Sequence, residues 1–345
     1  LLTSAHADTS LLAAEIKACF EAPFLVFGQE FFIGASIGIA LFPHDGQSFE
    51  TLVRNAEIAG SAAKALGRNR HLFYSADLSH RLKERMKLET QLRHALERDE
   101  YVLHYQPKVD AKSLRVVGME SLLRWRPAEG TGLVSPASFI PILEETGMIV
   151  PVGEWILYTA CSQYVAWRSA GMSALRLSVN VSACQFNSGM LVDTVARILE
   201  RTGMDPSCLC LELTESIVMG DMQQTLDTLG TLANMGVKLS LDDFGTGFSS
   251  LAYLRKMPLH ELKIDQSFVM NLPDDGNAVA ITESIIAMAH SLRLTIVAEG
   301  VETKEQLDFL AARQCQEIQG FYASKPLEGD DFLECVSRAE PLRRQ

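Results

Sequence analysis

The chain has 345 residues, with 31 Lys and Arg against 43 Asp and Glu, which gives a formal net charge of −12. At about 150 residues per domain, this length predicts two domains. Hydrophobic residues make up 47% and charged residues 21% of the chain, values typical of a folded globular protein rather than a disordered or fibrous one. The acidic balance argues against a surface that binds a nucleic acid polymer.

The longest nearly apolar stretch, residues 31–43, contains two glycines and is too short to cross a bilayer as a helix. We therefore expect no membrane span. Residue 1 is Leu rather than Met, so a missing N-terminal region could attach a longer parent protein to a membrane. The seven cysteines are odd in number and scattered, which favours reduced thiols and a cytoplasmic location.

Residues 1–75 predict a small α+β fragment. A helix is expected over residues 10–20, two strands within residues 24–43, and a second helix over residues 48–67 that ends at Gly67.

A densely charged helical stretch follows over residues 76–100, and it predicts a helix that links two domains. This helix could simply lie on a domain or could act in dimerisation. Its large apolar residues fall near one face. They are Leu78, Leu82, Met86, Leu92 and Leu96.

Gly34, Ser36 and Gly38 match the G-x-S-x-G pattern of serine hydrolases. That pattern works only at a sharp turn from a strand into a helix. Here the following residues, IALFP, continue the strand, so we do not expect a nucleophilic serine at this position.

From residue 101 onward, β-rich runs alternate with longer helical segments, which predicts an α/β fold with parallel strands. Eight such runs in about 240 residues fit a (β/α)8 TIM barrel. Residues 110–115 are too few for a crossover helix, so the first two strands should form a hairpin and one strand should be antiparallel. Residues 139–171 predict one long helix. The runs are 101–109, 116–125, 175–182, 209–216, 238–245, 261–268, 295–301 and 317–324.

Polar residues occur repeatedly at or near the ends of these runs, which meet at one face of a barrel. Five are carboxylates, and each like-charged pair at 4 Å costs on the order of 4 kcal/mol at an effective dielectric constant of 20. Oxygen ligands without Cys or His suit Mg²⁺ or Mn²⁺. Two adjacent aspartates can hold two ions, as in phosphoester hydrolysis, although any single acid could equally be a helix cap or a solvated residue. The residues are Glu120, Asn180, Glu212, Asp242, Asp243, Lys263, Glu299 and Gln319.

Seven motifs in this region occur in the order seen in one known family. They are MESLLRW (119–125), SVNVS (178–182), ELTES (212–216), LDDFGTGFSSL (241–251), LKIDQSFV (262–269), AEGVET (298–303) and QGFYASKPL (319–327). The set resembles the EAL-domain phosphodiesterases that hydrolyse cyclic di-GMP. The resemblance implies a modified TIM barrel with one antiparallel strand, a homodimer, two divalent cations per site, and hydrolysis of cyclic di-GMP to linear 5′-pGpG.

The resemblance also implies roles for individual residues. The first metal would be held by Glu120, Asn180, Glu212 and Asp242, and the second by Asp242, Asp243 and Glu299. Lys263 would contact the attacking water. Because nearby carboxylates keep a lysine protonated, we expect Lys263 to position groups and stabilise charge while the metals generate hydroxide. Glu120, Lys263 and Glu299 are the expected catalytic residues.

Further residues are expected around this site. Arg124 suits a bidentate phosphate contact, or it could pair with a surface acid. Gln106 and Gln319 are expected to contact the substrate. In the family, the loop matching residues 243–250 couples dimerisation to metal binding, and Glu215 matches the acid that anchors it; an ordinary acid at a helix N-terminus is the alternative.

Ser121 stands in place of the Ala that gives the family its name. Alternation along a strand should turn the Ser121 side chain away from the Glu120 side. The substitution should therefore have little effect on the site.

Three segments of the first region resemble the C-terminal half of a GGDEF diguanylate cyclase domain. They are SIGIALFPHDG (36–46), LVRNAEIAGSAAKALGRN (52–69) and HLFYS (71–75). Gly60 and Ser61 stand where that family usually has Met and Tyr. The GGDEF sequence itself is not in this chain, so we expect no cyclase activity from it.

A second hypothesis is that the barrel binds cyclic di-GMP as a receptor and does not cleave it. Receptors of this kind lose metal ligands. Each ligand position matched above is kept, so hydrolysis is the favoured function.

Overall fold

The computed structural model describes residues 6–20, 22–27, 29–65, 69–128, 132–215, 217, 222–245 and 254–337. The chain forms two compact units. The first is Leu1–Gln91 and the second is Leu92–Gln345.

Short strands and three helices make up the chain from residue 6 to residue 95. Strands β1 and β2 form an antiparallel hairpin, and β3 and β4 pair in parallel with α2 between them in the chain. In chain order, the elements are α1 (His6–Ala18), β1 (Phe24–Val26), β2 (Gln29–Phe31), β3 (Ile37–Ile39), α2 (Phe49–Ala65), β4 (His71–Phe73) and α3 (Ala76–Ala95).

The chain from residue 6 to residue 95 departs from the sequence prediction in two places. Three short strands occupy residues 24–43 instead of two, because Phe27 adopts a left-handed backbone with φ 51° and turns the chain between β1 and β2. Helix α3 ends at Ala95, five residues before the end of the predicted helical stretch, and along it Met86 is 68% exposed while Leu92 is buried. The predicted helix end at Gly67 lies outside the described residues.

The second unit contains a closed barrel of eight strands in which each strand pairs with its neighbours in chain order. All neighbours are parallel except that β5 is antiparallel to both β6 and β12. The predicted barrel with one antiparallel strand is therefore confirmed. Its strands are β5 (Tyr101–Asp110), β6 (Val116–Trp125), β7 (Arg176–Val181), β8 (Leu209–Thr214), β9 (Lys238–Phe244), β10 (Glu261–Ile264), β11 (Thr295–Ala298) and β12 (Glu317–Ile318).

A tight turn between β5 and β6 produces the antiparallel strand. The Asp110 carboxylate accepts hydrogen bonds from the backbone N–H groups of Lys112 at 3.3 Å and Ser113 at 2.7 Å. Leu114 adopts φ 56°, which reverses the chain direction. The short connection thus turns the chain back as a hairpin, as its length predicted.

Helices follow most of the parallel strands. The predicted helix over residues 139–171 is wrong: the chain breaks at Gly147, whose φ of +75° ends one helix in a left-handed cap. Among the described residues, no helix combines the length and apolarity needed to cross a membrane. The helices are α4 (Pro136–Glu145), α5 (Ile149–Ser169), α6 (Ala183–Asn187), α7 (Leu191–Thr202), α8 (Met222–Asn234), α9 (Gln266–Val269), α10 (Gly276–Ser291), α11 (Lys304–Ala312) and α12 (Gly329–Ser337).

Alternation along the barrel strands separates an apolar outer face from a polar interior. On β8, for example, Leu209, Leu211 and Leu213 are buried on one face, whereas Glu212 bonds across the interior to Lys108 of β5. TIM barrels usually fill their interior with branched apolar side chains. Here the interior instead contains a network of charged and hydroxyl side chains. They include Lys108, Arg176, Ser178, Glu212, Ser240, Glu261, Lys263 and Glu317.

Gly320, next to Gln319, sits where the backbone of Val301 leaves no space for a side chain. An added Cβ would lie 2.2 Å from the Val301 carbonyl oxygen and 2.3 Å from its nitrogen. We expect Gly320→Ala to lower the free energy of unfolding by more than about 2 kcal/mol in urea denaturation. Gly171 has φ +101° and no atom within 4 Å of an added Cβ, so Gly171→Ala should cost only the left-handed backbone penalty of about 1–2 kcal/mol. Equal losses would contradict this account.

Candidate active site at the barrel mouth

Lys263 of β10 lies at the centre of the predicted site and is 1% exposed. Its Nζ is 2.7 Å from Glu212 Oε2 and 3.1 Å from Asp242 Oδ1. The same atom is 2.5 Å from Glu299 Oε1 and 3.4 Å from Glu120 Oε2. The structure therefore gathers four of the predicted carboxylates, from β6, β8, β9 and the end of β11, around one ammonium group.

Asp243 joins this cluster through a β-bulge. Adjacent residues of a regular strand face opposite sides, but in the β9–β10 pair Asp242 and Asp243 together oppose Lys263 alone. Asp243 adopts φ 53°, a left-handed conformation that aspartate tolerates better than most residues. As a result, one carboxylate oxygen from each of Asp242, Asp243 and Glu299 lies within 4.8 Å of the others.

Two amide side chains donate to Glu120, and a third lies beside them. Gln319 donates from Nε2 to Glu120 Oε2 at 2.6 Å and to Gln106 Oε1 at 3.0 Å. Asn180 donates from Nδ2 to Glu120 Oε1 at 2.6 Å. Gln106 pairs directly with Glu120 across the β5–β6 ladder and donates to the Ser324 carbonyl at 3.1 Å. The predicted residues Gln106, Asn180 and Gln319 thus all lie at the site. Asn180 and Gln319 orient the Glu120 carboxylate, and Gln106 accepts a hydrogen bond from Gln319.

Negative charge at the mouth exceeds what the protein itself balances. Burial, and then the charge of Glu212, raise the pKa of Glu120. Burial raises the pKa of Glu299 to about 8. Burial and the neighbouring Asp242 charge raise the pKa of Asp243 to about 6. Three carboxylates in one cluster whose pKa values are raised by burial and by the charge of neighbouring carboxylates indicate a site that is short of positive charge.

Glu212 and Lys263, in contrast, are stabilised in their charged forms. Burial opposes ionisation of Glu212, but Lys108 and Lys263 more than offset it and lower its pKa to about 2. Burial also opposes the charge of Lys263, yet Asp242 and the other surrounding carboxylates raise its pKa well above the ordinary value. A lysine in this setting stays protonated, which fits a positioning and charge-stabilising role rather than that of a base.

Arg124 lies on the same face of β6 as Glu120, four residues further on, and is half-buried. Its Nη1 donates to the Leu123 carbonyl at 3.1 Å, and it forms no ion pair with any residue that the structure describes. The alternative expectation, that Arg124 pairs with a surface acid, therefore finds no such partner in the described chain.

Two other predictions concern Ser121 and Glu215. The Ser121 hydroxyl faces away from Glu120, is buried, and donates to the Ser178 carbonyl at 3.1 Å. Glu215, directly after β8, is 5% exposed. Most of the loop that it should anchor, residues 246–250, lies outside the described residues, as does Ser216 of the ELTES motif.

Four interior charges are not among the residues expected from the sequence. Lys108 Nζ is 2.6 Å from Glu212 Oε1 and 2.9 Å from Glu261 Oε1. Arg176 lies 3.4 Å from Glu261 and 2.5 Å from Glu317. The interior position of Lys108 could have been predicted, because alternation along β5 places it on the same face as Gln106. Arg176, Glu261 and Glu317 each begin their strand, where a solvated charge is common.

The chemistry of the cluster fits a hard divalent cation. Its donors are carboxylate oxygens and an amide, with no Cys or His among the predicted ligands, as Mg²⁺ and Mn²⁺ prefer. A cation would also supply the positive charge that Glu120, Asp243 and Glu299 lack.

A closed α/β barrel with one antiparallel strand and a carboxylate cluster at its mouth defines the class of this protein. The family model described as EAL domain matches residues 89–326. The chain belongs to the EAL-domain family.

Relatives and solved structures agree with this assignment. The chain is 43% identical over 331 residues to the bifunctional diguanylate cyclase/cyclic di-GMP phosphodiesterase MucR of Pseudomonas aeruginosa, covering 96% of this chain and 48% of MucR. It is 41% identical over 348 residues to the cyclic di-GMP phosphodiesterase NbdA of the same organism, covering 99% of this chain and 44% of NbdA. The chain thus spans about half the length of these curated relatives. A solved structure, the PaMucR phosphodiesterase in complex with c-di-GMP, is 46% identical with a TM-score of 0.69, covering 71% of this chain and 99% of that one.

Removing Lys263 should destabilise the metal-free protein. Lys263→Met takes away the buried ammonium that four carboxylates share, and losing one partner of a buried ion pair costs about 3–5 kcal/mol. We expect a loss of that size in urea denaturation with EDTA present. Lys304→Met, which removes an exposed pair with Asp308, should change stability by less than about 1 kcal/mol. Matching losses in the two variants would contradict a central role for Lys263.

Proposed function

We propose that this chain hydrolyses cyclic di-GMP to the linear dinucleotide 5′-pGpG. In this reaction the oxygen of a water molecule bonds to phosphorus, one P–O3′ bond breaks, and a proton reaches the departing 3′ oxygen. The cluster of five carboxylates around Lys263, in a chain of the EAL-domain family, carries the proposal. The named activities of MucR and NbdA support it.

The cation ligands follow from the same cluster. The first of two Mg²⁺ or Mn²⁺ ions would be held by Glu120, Asn180, Glu212 and Asp242. The second would be held by Asp242, Asp243 and Glu299, whose carboxylate oxygens already lie close together. When bound, the ions would supply Lewis-acid activation of the water and neutralise phosphate charge.

The protein's own side chains would hold the substrate and the carboxylates in place. Lys263 keeps its proton and stabilises the negative charge of the phosphate undergoing attack. Arg124, with no described carboxylate partner, offers its guanidinium for a bidentate phosphate contact. Gln319 would hold Glu120 by its hydrogen bond, Gln106 would hold Gln319, and both would contact the nucleotide.

The remaining organisation of the chain is also proposed. Residues 1–75 would be the C-terminal part of a GGDEF-like domain, residues 76–100 a linking helix, and residues 101–345 the phosphodiesterase domain. MucR, whose name includes diguanylate cyclase, aligns with 96% of this chain. Two copies would associate, with Glu215 anchoring the loop that connects dimerisation to the metal site.

The direct test is turnover of cyclic di-GMP by the purified chain with Mg²⁺ or Mn²⁺, followed by chromatography of the product. We expect 5′-pGpG. Glu120→Gln should reduce kcat by more than the 10–100-fold that is typical of losing an outer-shell partner of a metal ligand. Glu283→Gln is the matched control, because Glu283 is exposed and pairs with Arg313 away from the barrel mouth; it should leave kcat unchanged.

The competing outcome is tight binding without cleavage. If the wild-type chain holds cyclic di-GMP for hours with saturating Mn²⁺ and releases no linear product, the barrel is a receptor and the proposed hydrolysis is wrong.

A further inference from the structure

Lys108 of β5 is fully buried inside the barrel, one layer below the mouth. An ammonium group has three N–H donors, and all three are used here. Nζ donates to Ser178 Oγ at 2.8 Å, to Glu212 Oε1 at 2.6 Å and to Glu261 Oε1 at 2.9 Å. These partners lie on β7, β8 and β10, so Lys108 is fixed from three sides.

The contact with Lys108 gives the two oxygens of the Glu212 carboxylate different partners. Lys108 holds Oε1 at the inner side, while Oε2 faces the mouth, 2.7 Å from Lys263. A carboxylate held in this way cannot rotate to offer both oxygens to the same side. Glu212 therefore presents a single oxygen to the site at the mouth.

Glu261 depends less on Lys108 than Glu212 Oε1 does. The Ser240 hydroxyl donates to Glu261 Oε1 at 3.2 Å, and Arg176 lies 3.4 Å from Glu261 Oε2. For Glu212 Oε1, by contrast, Lys108 is the donor that the described structure provides. If Lys108 only balanced the charge of Glu261 below the mouth, its contact with Glu212 would not be needed.

We propose that Lys108 is a positioning residue for the metal site, which fixes Glu212 so that one oxygen, Oε2, is directed at the first cation. This inference rests on the proposed function, because it takes Glu212 as a metal ligand. Lys108 touches neither substrate nor cation and acts through Glu212. Partners that orient metal ligands typically change metal affinity by 10–100-fold when they are lost.

The test is Mn²⁺ binding to the purified chain without nucleotide, measured from the free-ion signal in electron paramagnetic resonance. In Lys108→Met, which keeps the length of the side chain and removes its charge, the Kd for Mn²⁺ should rise about 10–100-fold. The Mn²⁺ concentration for half-maximal turnover should rise with it. The KM for cyclic di-GMP at saturating Mn²⁺ should stay unchanged.

Glu261→Gln is the matched control, because it removes the other carboxylate of Lys108 and leaves the contact with Glu212. It should lower thermal stability without changing the Kd for Mn²⁺. If Lys108→Met does not fold, the comparison is made between Lys108→Met/Glu261→Gln and Glu261→Gln, since the double variant removes the negative charge left unbalanced.

Three results overturn the inference. A folded Lys108 variant with wild-type Mn²⁺ affinity shows that Glu212 needs no positioning. An equal loss of affinity in Glu261→Gln shows that the effect is only structural. Absence of Mn²⁺ binding by the wild-type chain overturns the proposed metal site together with this inference.

Mn²⁺ binding without turnover has a different meaning. It overturns the proposed hydrolysis alone, and the Mn²⁺ affinities of the same variants still decide the role of Lys108.

Discussion

Buried negative charge is the constraint on which this barrel depends. Of the five carboxylates at the mouth, four share the ammonium of Lys263, and each like-charged pair at about 4 Å costs on the order of 4 kcal/mol at an effective dielectric constant of 20. The ammonium groups of Lys263 and Lys108 offset part of this cost. The raised pKa values of Glu120 and Glu299 indicate that the site is still short of positive charge. A site with such a deficit gains free energy by binding cations, which is what metal-dependent phosphate chemistry requires.

Backbone geometry concentrates the charge at one level of the barrel. Alternation turns every second side chain of the parallel strands inward, and the bulge at Asp243 adds a neighbour that a regular strand would turn outward. The antiparallel β5 supplies two layers from one strand, because Gln106 pairs with Glu120 at the mouth and Lys108 pairs with Gly118 below it. The hairpin therefore connects Gln106, which accepts a hydrogen bond from the Gln319 that orients Glu120, with the lysine that holds Glu212.

The sequence predicts the barrel well because its signals are local. Each strand is a short β-rich run, and the six residues between β5 and β6 exclude a crossover helix. The gathering of Glu120, Glu212, Asp242 and Glu299 was predictable because parallel strands end at one face.

Less could be predicted where the outcome depends on packing. Gly147 divides α4 from α5 through its backbone conformation, inside an otherwise continuous apolar pattern. Arg176 of β7 and Glu317 of β12 come into contact only when the barrel closes, so nothing in the sequence near either residue predicts their ion pair.

The most direct measurement is anomalous X-ray scattering from crystals of the chain grown with saturating Mn²⁺ and cyclic di-GMP. We expect two manganese peaks at the barrel mouth, next to the carboxylates around Lys263, and a phosphate of the nucleotide at the same mouth. A mouth that holds nucleotide but shows no manganese peak under these conditions would contradict the claim that the carboxylate cluster exists to bind cations.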